Sequence, residues 1–430
     1  MKKDYQTKHA AADMAVPGTV ALAMTNLADE LREGLLALAV GTGLQVMDAI
    51  LEESVTALCG PKGRHDPERT AVRHGHEDGS VALGGRKVPV RRPRVRSSDG
   101  ASELVLPAYE HFSSTELLGR MAMEKMLAKL STRRYSVGLE PVGVAVEARS
   151  SGKSRSAVSR RFVERTESAL AELMAAPLTE LDLVALMVDG VHFADHFCVV
   201  ALGIDTAGIK HPLAVVEGDT ENATVVKDLL VSLRDRGLDM TRPILVVIDG
   251  AKALASAVIA VFDHPVIARC QLHKIRNVEA KLPKTLAATV SKKMRAIYRG
   301  DDALRAEAEL GELARRLQRN HPGAAGSLRE GLAETLTVMR LKIPPTLART
   351  LRSTNAIESM IEICRDHSTN VKRWRDGEMA LRWCAAGMGE AKKQFRKVNG
   401  FLHLPALRKT LDAYVAAGVT PVDYNKEDAA

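Results

Sequence analysis

Residues 181–274 alternate apolar runs with helical stretches, in an order that few folds can accommodate. Short apolar runs rich in β-branched residues predict strands, and the longer periodic stretches between them predict helices. The predicted strands lie at 181–190, 196–205, 211–219, 242–250 and 264–274, and the predicted helices lie at 222–238 and 253–262. This order predicts a mixed α/β sheet, antiparallel in its first part and parallel later. The last strand is predicted to run into a loop.

Two of these strands are predicted to end in the same dipeptide. Asp189-Gly190 closes the first strand, and Asp249-Gly250 closes the fourth. Because α/β proteins place their sites at the carboxyl ends of sheet strands, the two carboxylates are candidates for one site. Asp-Gly between two strands is also a common hairpin turn, which is the alternative for Asp189. A helix follows Asp249, so the alternative is weaker there.

Neighbouring carboxylates are typical of a divalent cation site, most naturally one for Mg²⁺. Two cations placed for in-line attack at a phosphodiester need a third carboxylate. Glu358 and Glu362 lie one helical turn apart, and spacing alone does not choose between them. The residues therefore indicate a two-metal phosphoryl-transfer site. Structural turns and other Mg²⁺-dependent hydrolases are the alternatives.

The charge balance favours a polyanionic partner. The chain has 61 Lys and Arg against 53 Asp and Glu, a formal net charge of +8. Segments 61–100, 131–165 and 365–397 each carry a net charge of +5. Aromatic residues make up only 3% of the chain, which disfavours single-strand binding by base stacking and favours the phosphates of a duplex.

Cysteine use and hydropathy favour an intracellular protein. Five irregularly spaced cysteines predict no disulfide framework and fit a reducing compartment. The N-terminus lacks the apolar core of a signal peptide, and no uncharged apolar run reaches the roughly 18 residues of a membrane span. We therefore expect no membrane partner.

Residues 61–110 predict a basic β-hairpin region with its turn at Gly84-Gly85. Its second strand supplies three candidate DNA contacts, Arg91, Arg92 and Arg94. The same region holds three histidines, His65, His74 and His76. Their irregular spacing without a cysteine favours solvated loop histidines over a metal site.

Residues 111–178 predict a helix-turn-helix-like DNA-binding domain. One helix is predicted through 123–137, and a second begins after Ser154, a plausible N-cap. The second helix carries Arg155, Arg160 and Arg161 near its start, where a major-groove reader presents its contacts. An ordinary solvated helix face is the alternative.

The remaining segments are mostly helical. Residues 1–60 predict an N-terminal helical region, with 20–59 in helix, and residues 275–350 predict an all-α insertion made of amphipathic helices. The insertion would divide a catalytic core into residues 179–274 and residues 351–430, the latter with basic C-terminal helices.

The chain resembles the IS256 (Mutator-like) family of DDE transposases. The resemblance rests on Asp189-Gly190, on Asp249-Gly250 and on two longer motifs. These are Arg269-Cys270-Gln271-Leu272-His273-Lys274-Ile275-Arg276-Asn277 and Arg352-Ser353-Thr354-Asn355-Ala356-Ile357-Glu358. The first of these two is the more specific. The match extends from about residue 60 to about residue 400, in the correct order.

The resemblance implies a ribonuclease-H-like mixed sheet interrupted by the all-α insertion and preceded by helical and helix-turn-helix DNA-binding regions. It implies a metal-binding catalytic triad of Asp189, Asp249 and Glu358, because the family places its third acid directly after Thr-Asn-x-x. The implied cofactor is a pair of Mg²⁺ ions, for which Mn²⁺ can substitute. The implied structural residues near the site are Cys270, His273, Asn277 and Asn355.

A zinc site is an alternative for Cys270 and His273, with Cys364 or His367 completing it. Trp374 and Trp383 favour core packing over base stacking. Further candidate DNA contacts around the site are Arg276, Lys372, Arg373 and Arg375.

The predicted function is that of an insertion-sequence transposase. It would bind double-stranded DNA at terminal inverted repeats and at the target, and cleave and join strands by two-metal phosphoryl transfer. Joining two ends requires a homodimer or higher multimer on DNA, and the expected location is the bacterial cytoplasm, at the nucleoid. The alternatives are a catalytically inactive DNA-binding regulator derived from a transposase and a ribonuclease-H-like cellular nuclease.

Overall fold

The computed structural model describes residues 18–64, 69–220 and 222–417. The chain divides into two compact units. The first contains residues 1–125 and 132–161, and the second contains residues 126–131 and 162–430. His65 lies outside the described residues.

The first unit begins with a long helix followed by a small antiparallel sheet. Its opening elements are α1 (Gly18–Cys59), β1 (Ala71–Leu83), β2 (Arg86–Ser97), β3 (Glu103–Leu104) and α2 (Pro107–Ser113). The helix predicted over 20–59 is therefore confirmed. Its C-terminal part buries Met47, Leu51 and Val55 against apolar residues of β1 and β2. This contact gives the hairpin an apolar core.

The hairpin predicted at Gly84-Gly85 is confirmed, but its strands are longer than predicted. Gly84 and Gly85 have φ of +54° and +78°, the left-handed conformation that tight hairpin turns require and glycine adopts without strain. The pairing runs from Leu83 with Arg86 back to Ala71 with Ser97. His74 and His76 are exposed residues of β1, so the prediction that they lie in a loop is wrong.

Three helices follow the hairpin: α3 (Thr115–Leu127), α4 (Val144–Arg149) and α5 (Arg155–Ala175). The helix predicted through 123–137 is wrong beyond Leu127, because Lys129 has φ of +69° and cannot continue a right-handed helix. Ser154 Oγ accepts a hydrogen bond from Ala157 N at 3.4 Å, so the predicted N-cap of the second helix is confirmed.

The second unit is built on a five-stranded mixed sheet. Its strands are β4 (Leu183–Phe193), β5 (His196–Asp205), β6 (Lys210–Glu217), β7 (Ile244–Ile248) and β8 (Pro265–Arg269), with helices α6 (Ala223–Asp235) and α7 (Lys252–Val261) between them. The strand order is β6-β5-β4-β7-β8. The first three strands are antiparallel, whereas β7 is parallel to β4 and β8 is parallel to β7. The predicted mixed sheet is confirmed.

Three local predictions in this sheet are wrong. The first strand does not end at Asp189, because Val191 and Phe193 continue it and bury their side chains. The hairpin turn falls at Ala194, which has φ of +53°, so the Asp-Gly turn alternative is also wrong. The segment after Arg269 is not a loop, since a helix begins directly at Gln271.

Residues 271–351 are mainly helical, and the amphipathic pattern of 275–350 predicted helices there. The helices are α8 (Gln271–Glu279), α9 (Lys284–Ile297), α10 (Ala303–Gln318), α11 (Pro322–Arg329), α12 (Leu332–Thr335), α13 (Thr337–Arg340) and α14 (Pro345–Leu351). They share a core of their own, which includes Ile275, Met294, Leu310 and Leu328. Buried Arg269 joins this stretch to the sheet, because its Nε lies 3.0 Å from Glu334 Oε2.

Three C-terminal helices complete the second unit: α15 (Asn355–His367), α16 (Gly377–Gln394) and α17 (Leu404–Ala416). Helices α6 and α7 cover one face of the sheet, where Leu186, Val188 and Ile248 point. Helices α15, α16 and α17 cover the other face, where Met187 and Val247 point. Strand residues alternate between these two faces.

Within the described residues, one stretch is long and apolar enough to cross a membrane by length and composition alone. It is Gly34–Cys59 of α1. Met47, Leu51, Val55 and Cys59 of this stretch are buried against the hairpin. A helix that contributes to the core of a globular unit passes the same test, so this stretch is weak evidence for a membrane span.

Candidate functional site

Asp189 and Asp249 occupy equivalent positions on two neighbouring parallel strands. The last residue pair between β4 and β7 is Met187 with Val247, and each aspartate lies two residues beyond its strand's member of that pair. Side chains two residues apart on a strand point to the same face of the sheet. Both aspartates therefore point to the face of Met187 and Val247, which pack toward α15. The sheet therefore brings the two predicted aspartates together on one face.

Glu358 lies in the first turn of α15, the helix that covers this face. Gln271 N donates a hydrogen bond of 3.0 Å to Arg352 O, which joins the start of α8 to the segment before α15. Buried Thr354 donates a hydrogen bond of 2.6 Å from Oγ1 to Glu358 Oε1. Glu362 is exposed and has no such contact among the described residues. The geometry therefore favours Glu358 over Glu362.

The side chains of Cys270 and His273 lie next to those of Thr354 and Glu358. The fully buried Cys270 sulfur lies 3.4 Å from Thr354 Oγ1 and accepts a hydrogen bond of 3.5 Å from His273 N. His273 Nδ1 lies 3.4 Å from Thr354 Oγ1, and His273 Nε2 lies 3.8 Å from Glu358 Oε1. These contacts hold the Glu358 carboxylate beside the end of β8.

The charges of these groups interact. The pKa of Asp189 is raised to about 6, chiefly by burial and also by the negative charges of Asp249 and Glu358. A hydrogen bond from Gly190 N and the charge of His273 oppose that shift. The pKa of His273 is raised by its hydrogen bond with Cys270 and by the carboxylates of Glu358 and Asp189. Asp189, Asp249, Glu358 and His273 therefore share one electrostatic environment.

Cys270 has an acidified thiol. Burial raises its pKa, but hydrogen bonds with His273 and Thr354 outweigh burial and bring the pKa below its ordinary value. Within the described residues, Cys270, His273 and Glu358 form the one group of metal-ligating atoms that all lie within 4.8 Å of one another.

The residues suggested as further zinc ligands lie elsewhere. Cys364 Sγ contacts Cys384 O at 3.6 Å, and His367 Nδ1 hydrogen-bonds Leu127 O at 2.7 Å. Among the described residues, the group of metal-ligating atoms around Cys270 and His273 includes Glu358 but neither Cys364 nor His367, so the structure does not support a zinc site completed by either residue. Asn277 and Asn355, the other predicted structural residues, are exposed.

The basic residues predicted to contact DNA differ in whether they already form ion pairs or hydrogen bonds within the protein. In the hairpin, Arg91 is exposed, whereas Arg92 and Arg94 form ion pairs with Glu77 and Glu103. In α5, Arg155 and Arg160 are exposed, and Arg161 donates to Gly152 O.

In the second unit, Arg276 of α8 is exposed one turn from His273. Lys372 and Arg373 are exposed in the segment before α16, and Arg375 is paired with Asp376 at 2.6 Å. Trp374 and Trp383 pack against Phe193 and Phe162 at ring distances of 4.9 and 4.6 Å. The predicted packing role of the two tryptophans is therefore confirmed.

Sequence reasoning missed the hydrogen bond from Thr354 to Glu358. The available signal was the i, i+4 spacing of the two residues at a helix start. It also missed four arginines that line a groove next to this site, Arg295, Arg299, Arg349 and Arg352. They come from two segments about 50 residues apart, and their convergence needs the packing of the helices.

Comparison with known proteins identifies the family of the chain. The family model described as "Transposase, Mutator family" matches residues 24–398. The chain belongs to the Mutator family of transposases, and the resemblance inferred from its motifs is confirmed.

Several relatives are insertion-sequence transposases. The transposase for insertion sequence element ISRM5 of Rhizobium meliloti (strain 1021) is 28% identical over 372 residues, which cover 85% of this chain and 90% of the relative. The transposase for IS6120 of Mycolicibacterium smegmatis is 30% identical over 262 residues, covering 60% and 79%. The transposase for IS256 in transposon Tn4001 of Staphylococcus aureus is 25% identical over 307 residues, covering 68% and 74%.

Proposed function

We propose that this chain is the transposase of an insertion sequence, which binds terminal inverted repeats and cleaves and joins DNA strands at a site made by Asp189, Asp249 and Glu358. The observation that carries the proposal is that Asp189 and Asp249 each lie two residues beyond the Met187–Val247 pair on neighbouring strands. Glu358 belongs to the helix that covers the same face and is held there by Thr354. The strand order β6-β5-β4-β7-β8 supports a ribonuclease-H-like core.

The donor set fits divalent magnesium. Three carboxylates offer the hard oxygen ligands that Mg²⁺ prefers, and Mn²⁺ accepts the same ligands. Partial burial raises the pKa of Asp189 most, and the negative charges of Asp249 and Glu358 raise it further; a bound cation would offset that repulsion. A pair of Mg²⁺ ions bound here would supply the Lewis acidity for attack by water or a 3′-hydroxyl and for departure of the 3′-oxygen.

The protein's own residues bind and orient the reacting strand. Thr354 and His273 fix the Glu358 carboxylate. Exposed Arg276, Lys372 and Arg373 are placed to bind phosphates near the acids, as we infer from their positions on α8 and before α16. Arg91, Arg155 and Arg160 would also contact the duplex, with α3 and α5 as the two helices of a helix-turn-helix.

We also propose that the active form is a multimer on DNA. Joining two element ends requires two active sites, and α1 leaves Leu35 and Val46 exposed, at 69% and 54% of their full surface. The mass of the protein–DNA complex, measured by light scattering, is expected to correspond to at least two protomers. A complex with one protomer that still joins two ends would contradict this part.

The experiment is cleavage of duplex DNA that carries the terminal inverted repeats flanking the coding region. We expect cleavage with Mg²⁺ or Mn²⁺, and its loss in Asp189→Asn, Asp249→Asn and Glu358→Gln. Glu362→Gln is the matched control, because Glu362 is on the same helix and exposed. Full cleavage by Asp189→Asn would refute the assignment. DNA binding without cleavage in either metal would favour a regulator derived from a transposase.

A further inference from the structure

A groove lined by arginines lies next to the proposed catalytic acids, Asp189, Asp249 and Glu358, which together are called the acidic cluster. It has a volume of about 240 Å³ and lies where the C-terminal ends of α9 and α14 meet α8. Arg295 and Arg299 come from the end of α9, and Arg349 and Arg352 come from the end of α14. All four arginines line the same space.

The charges of this groove are largely uncompensated. Among the described residues, no carboxylate forms an ion pair with Arg299, Arg349 or Arg352, and Arg295 reaches Glu279 only at 4.0 Å. By contrast, Arg305, Arg315 and Arg316 of neighbouring α10 each have a glutamate within 3.0 Å. The arginines of the groove therefore differ from the three paired arginines of α10.

Holding like charges together has an electrostatic cost. The pKa of half-buried Arg352 is lowered by burial and by its neighbours Arg349 and Arg299. A cation near a helix C-terminus stabilises the helix by its interaction with the helix dipole. That effect explains one arginine at the end of each helix. It does not explain why four arginines from two helices line the same groove.

Two residues that line the groove are anchored by hydrogen bonds to Thr335. Gln271 Nε2 donates a hydrogen bond of 2.9 Å to Thr335 O, and Tyr298 Oη donates one of 3.2 Å to Thr335 Oγ1. A second depression of about 490 Å³ shares Gln271, Tyr298, Arg299 and Arg352 and continues toward Lys342. Asp301 is the one acidic residue among those that line it. The two depressions form a continuous basic track.

The groove leads directly to the acidic cluster. Ser353 and Asn355 line it, and Thr354, between them, donates to Glu358. Asn355 precedes Glu358 by three residues in the first turn of α15, and the two therefore share one side of that helix. If a DNA strand placed its reacting phosphate at Asp189, Asp249 and Glu358, its neighbouring phosphates would lie near the groove.

We propose that this arginine groove binds the phosphodiester backbone of the DNA strand next to the reacting phosphate. A guanidinium group forms paired hydrogen bonds to phosphate oxygens and keeps its charge at all relevant pH values. Contacts of this kind position a strand without reading its sequence. The proposal rests on the proposed function and adds to it a binding site in the α-helical insertion.

The test is the salt dependence of DNA binding by Arg299→Gln, Arg349→Gln and their double variant. Binding is measured by fluorescence anisotropy across about 50–200 mM salt, with a terminal-repeat duplex and with an unrelated duplex. Each lost phosphate contact is expected to flatten the slope of log K against log salt by about 0.9. The double variant is therefore expected to flatten it by about 1.8, equally for both duplexes.

The controls are Arg305→Gln and Arg315→Gln, which remove arginines that are already paired. They are expected to leave the slope unchanged. Arg349→Lys is expected to retain most of the slope, because it keeps the charge. If the double variant fails to fold, the exposed single variant Arg349→Gln decides, with its melting temperature as the check on folding.

A double variant with the slope of the native chain would overturn the inference, as would control variants that lose as much as the groove variants. These results are distinguishable from failure of the proposed function. If the native chain cleaves terminal-repeat DNA while the groove variants bind with an unchanged slope, only the groove assignment is wrong. If the native chain neither binds nor cleaves DNA, the proposed function itself is wrong.

Discussion

Thr354 Oγ1 donates a hydrogen bond of 2.6 Å to Glu358 Oε1 from a fully buried position. The donor immediately precedes α15, and the acceptor is one turn into it. The same hydroxyl lies 3.4 Å from the Cys270 sulfur and 3.4 Å from His273 Nδ1. Thr354 is therefore the residue through which the end of β8 contacts the Glu358 carboxylate at the start of α15.

Thr354→Val removes this hydrogen bond and keeps the shape of the side chain. Because residues that orient metal ligands typically contribute about 10–100-fold to metal affinity or activity, we expect the Mg²⁺ concentration for half-maximal cleavage to rise about tenfold. Thr354→Ser keeps the hydroxyl and is expected to restore the native requirement. A purely structural role would lower the melting temperature of Thr354→Val without changing its Mg²⁺ requirement.

Arg269 is expected to be essential for stability. Its guanidinium group is 4% exposed and pairs with Glu334 and Glu330. Removing one member of a buried ion pair costs about 3–5 kcal/mol, so Arg269→Ala should shift the denaturant midpoint of the second unit strongly. Arg305→Ala, which removes an exposed ion pair with Glu309, should change the free energy of unfolding by less than about 1 kcal/mol. Equal midpoints for the two variants would contradict this account.

The hairpin turn provides a stability test in the first unit. Gly85 has φ of +78°, and a Cβ at this position would lie 2.7 Å from Leu139 Cδ2. Gly100 has φ of +70° with open space around it. Gly100→Ala should cost about 1–2 kcal/mol for the left-handed conformation alone, and Gly85→Ala should cost more because of the added collision. Thermal unfolding that ranks the two variants in the opposite order would contradict this geometry.

The ion pairs in β2 divide its arginines into two kinds. Arg91→Gln removes an exposed charge that forms no ion pair within the described part of the chain, and it should weaken DNA binding while leaving the melting temperature unchanged. Arg94→Gln breaks contacts with Glu77 and Glu103, and its main effect should be on the stability of the hairpin. Anisotropy binding and melting curves for the two variants check this. A larger loss of DNA affinity in Arg94→Gln would reverse the assignment.

The Cys270, His273 and Glu358 cluster is expected to be a hydrogen-bonded support with no stoichiometric zinc. A structural zinc site closes with four ligands, usually with several thiolates, and within the described residues this cluster offers three groups. Elemental analysis of the purified protein should therefore find far less than one zinc per chain. One zinc per chain, lost in Cys270→Ser, would show that the cluster is a metal site.

Much of the fold followed from local pattern. The alternation of apolar runs and amphipathic stretches predicted the mixed sheet and the helical insertion, since those signals lie within single elements. The end of β4 was misjudged because Val191 and Phe193 extend the strand past a dipeptide typical of turns. The start of α8 was missed because its N-cap is Cys270, a residue with little preference for that position.

The site was predictable only in part, because its contacts are long-range. Asp189 and Asp249 could be paired from the strand pattern alone. The contact between Thr354 and Cys270 joins residues 84 positions apart, and it exists only because α15 packs against the end of β8. The arginine groove depends in the same way on two helix ends, one at Arg295 and Arg299 and the other at Arg349 and Arg352.

The most direct test of a shared cation site is a change of metal preference. Asp249→Cys replaces a hard oxygen ligand with a softer thiolate, which binds Mn²⁺ better than Mg²⁺. We predict that this variant loses cleavage of terminal-repeat DNA in Mg²⁺ and recovers part of it in Mn²⁺, whereas Glu362→Cys behaves as the native chain in both. Native cleavage by Asp249→Cys in Mg²⁺ would show that Asp249 holds no cation and would contradict the account.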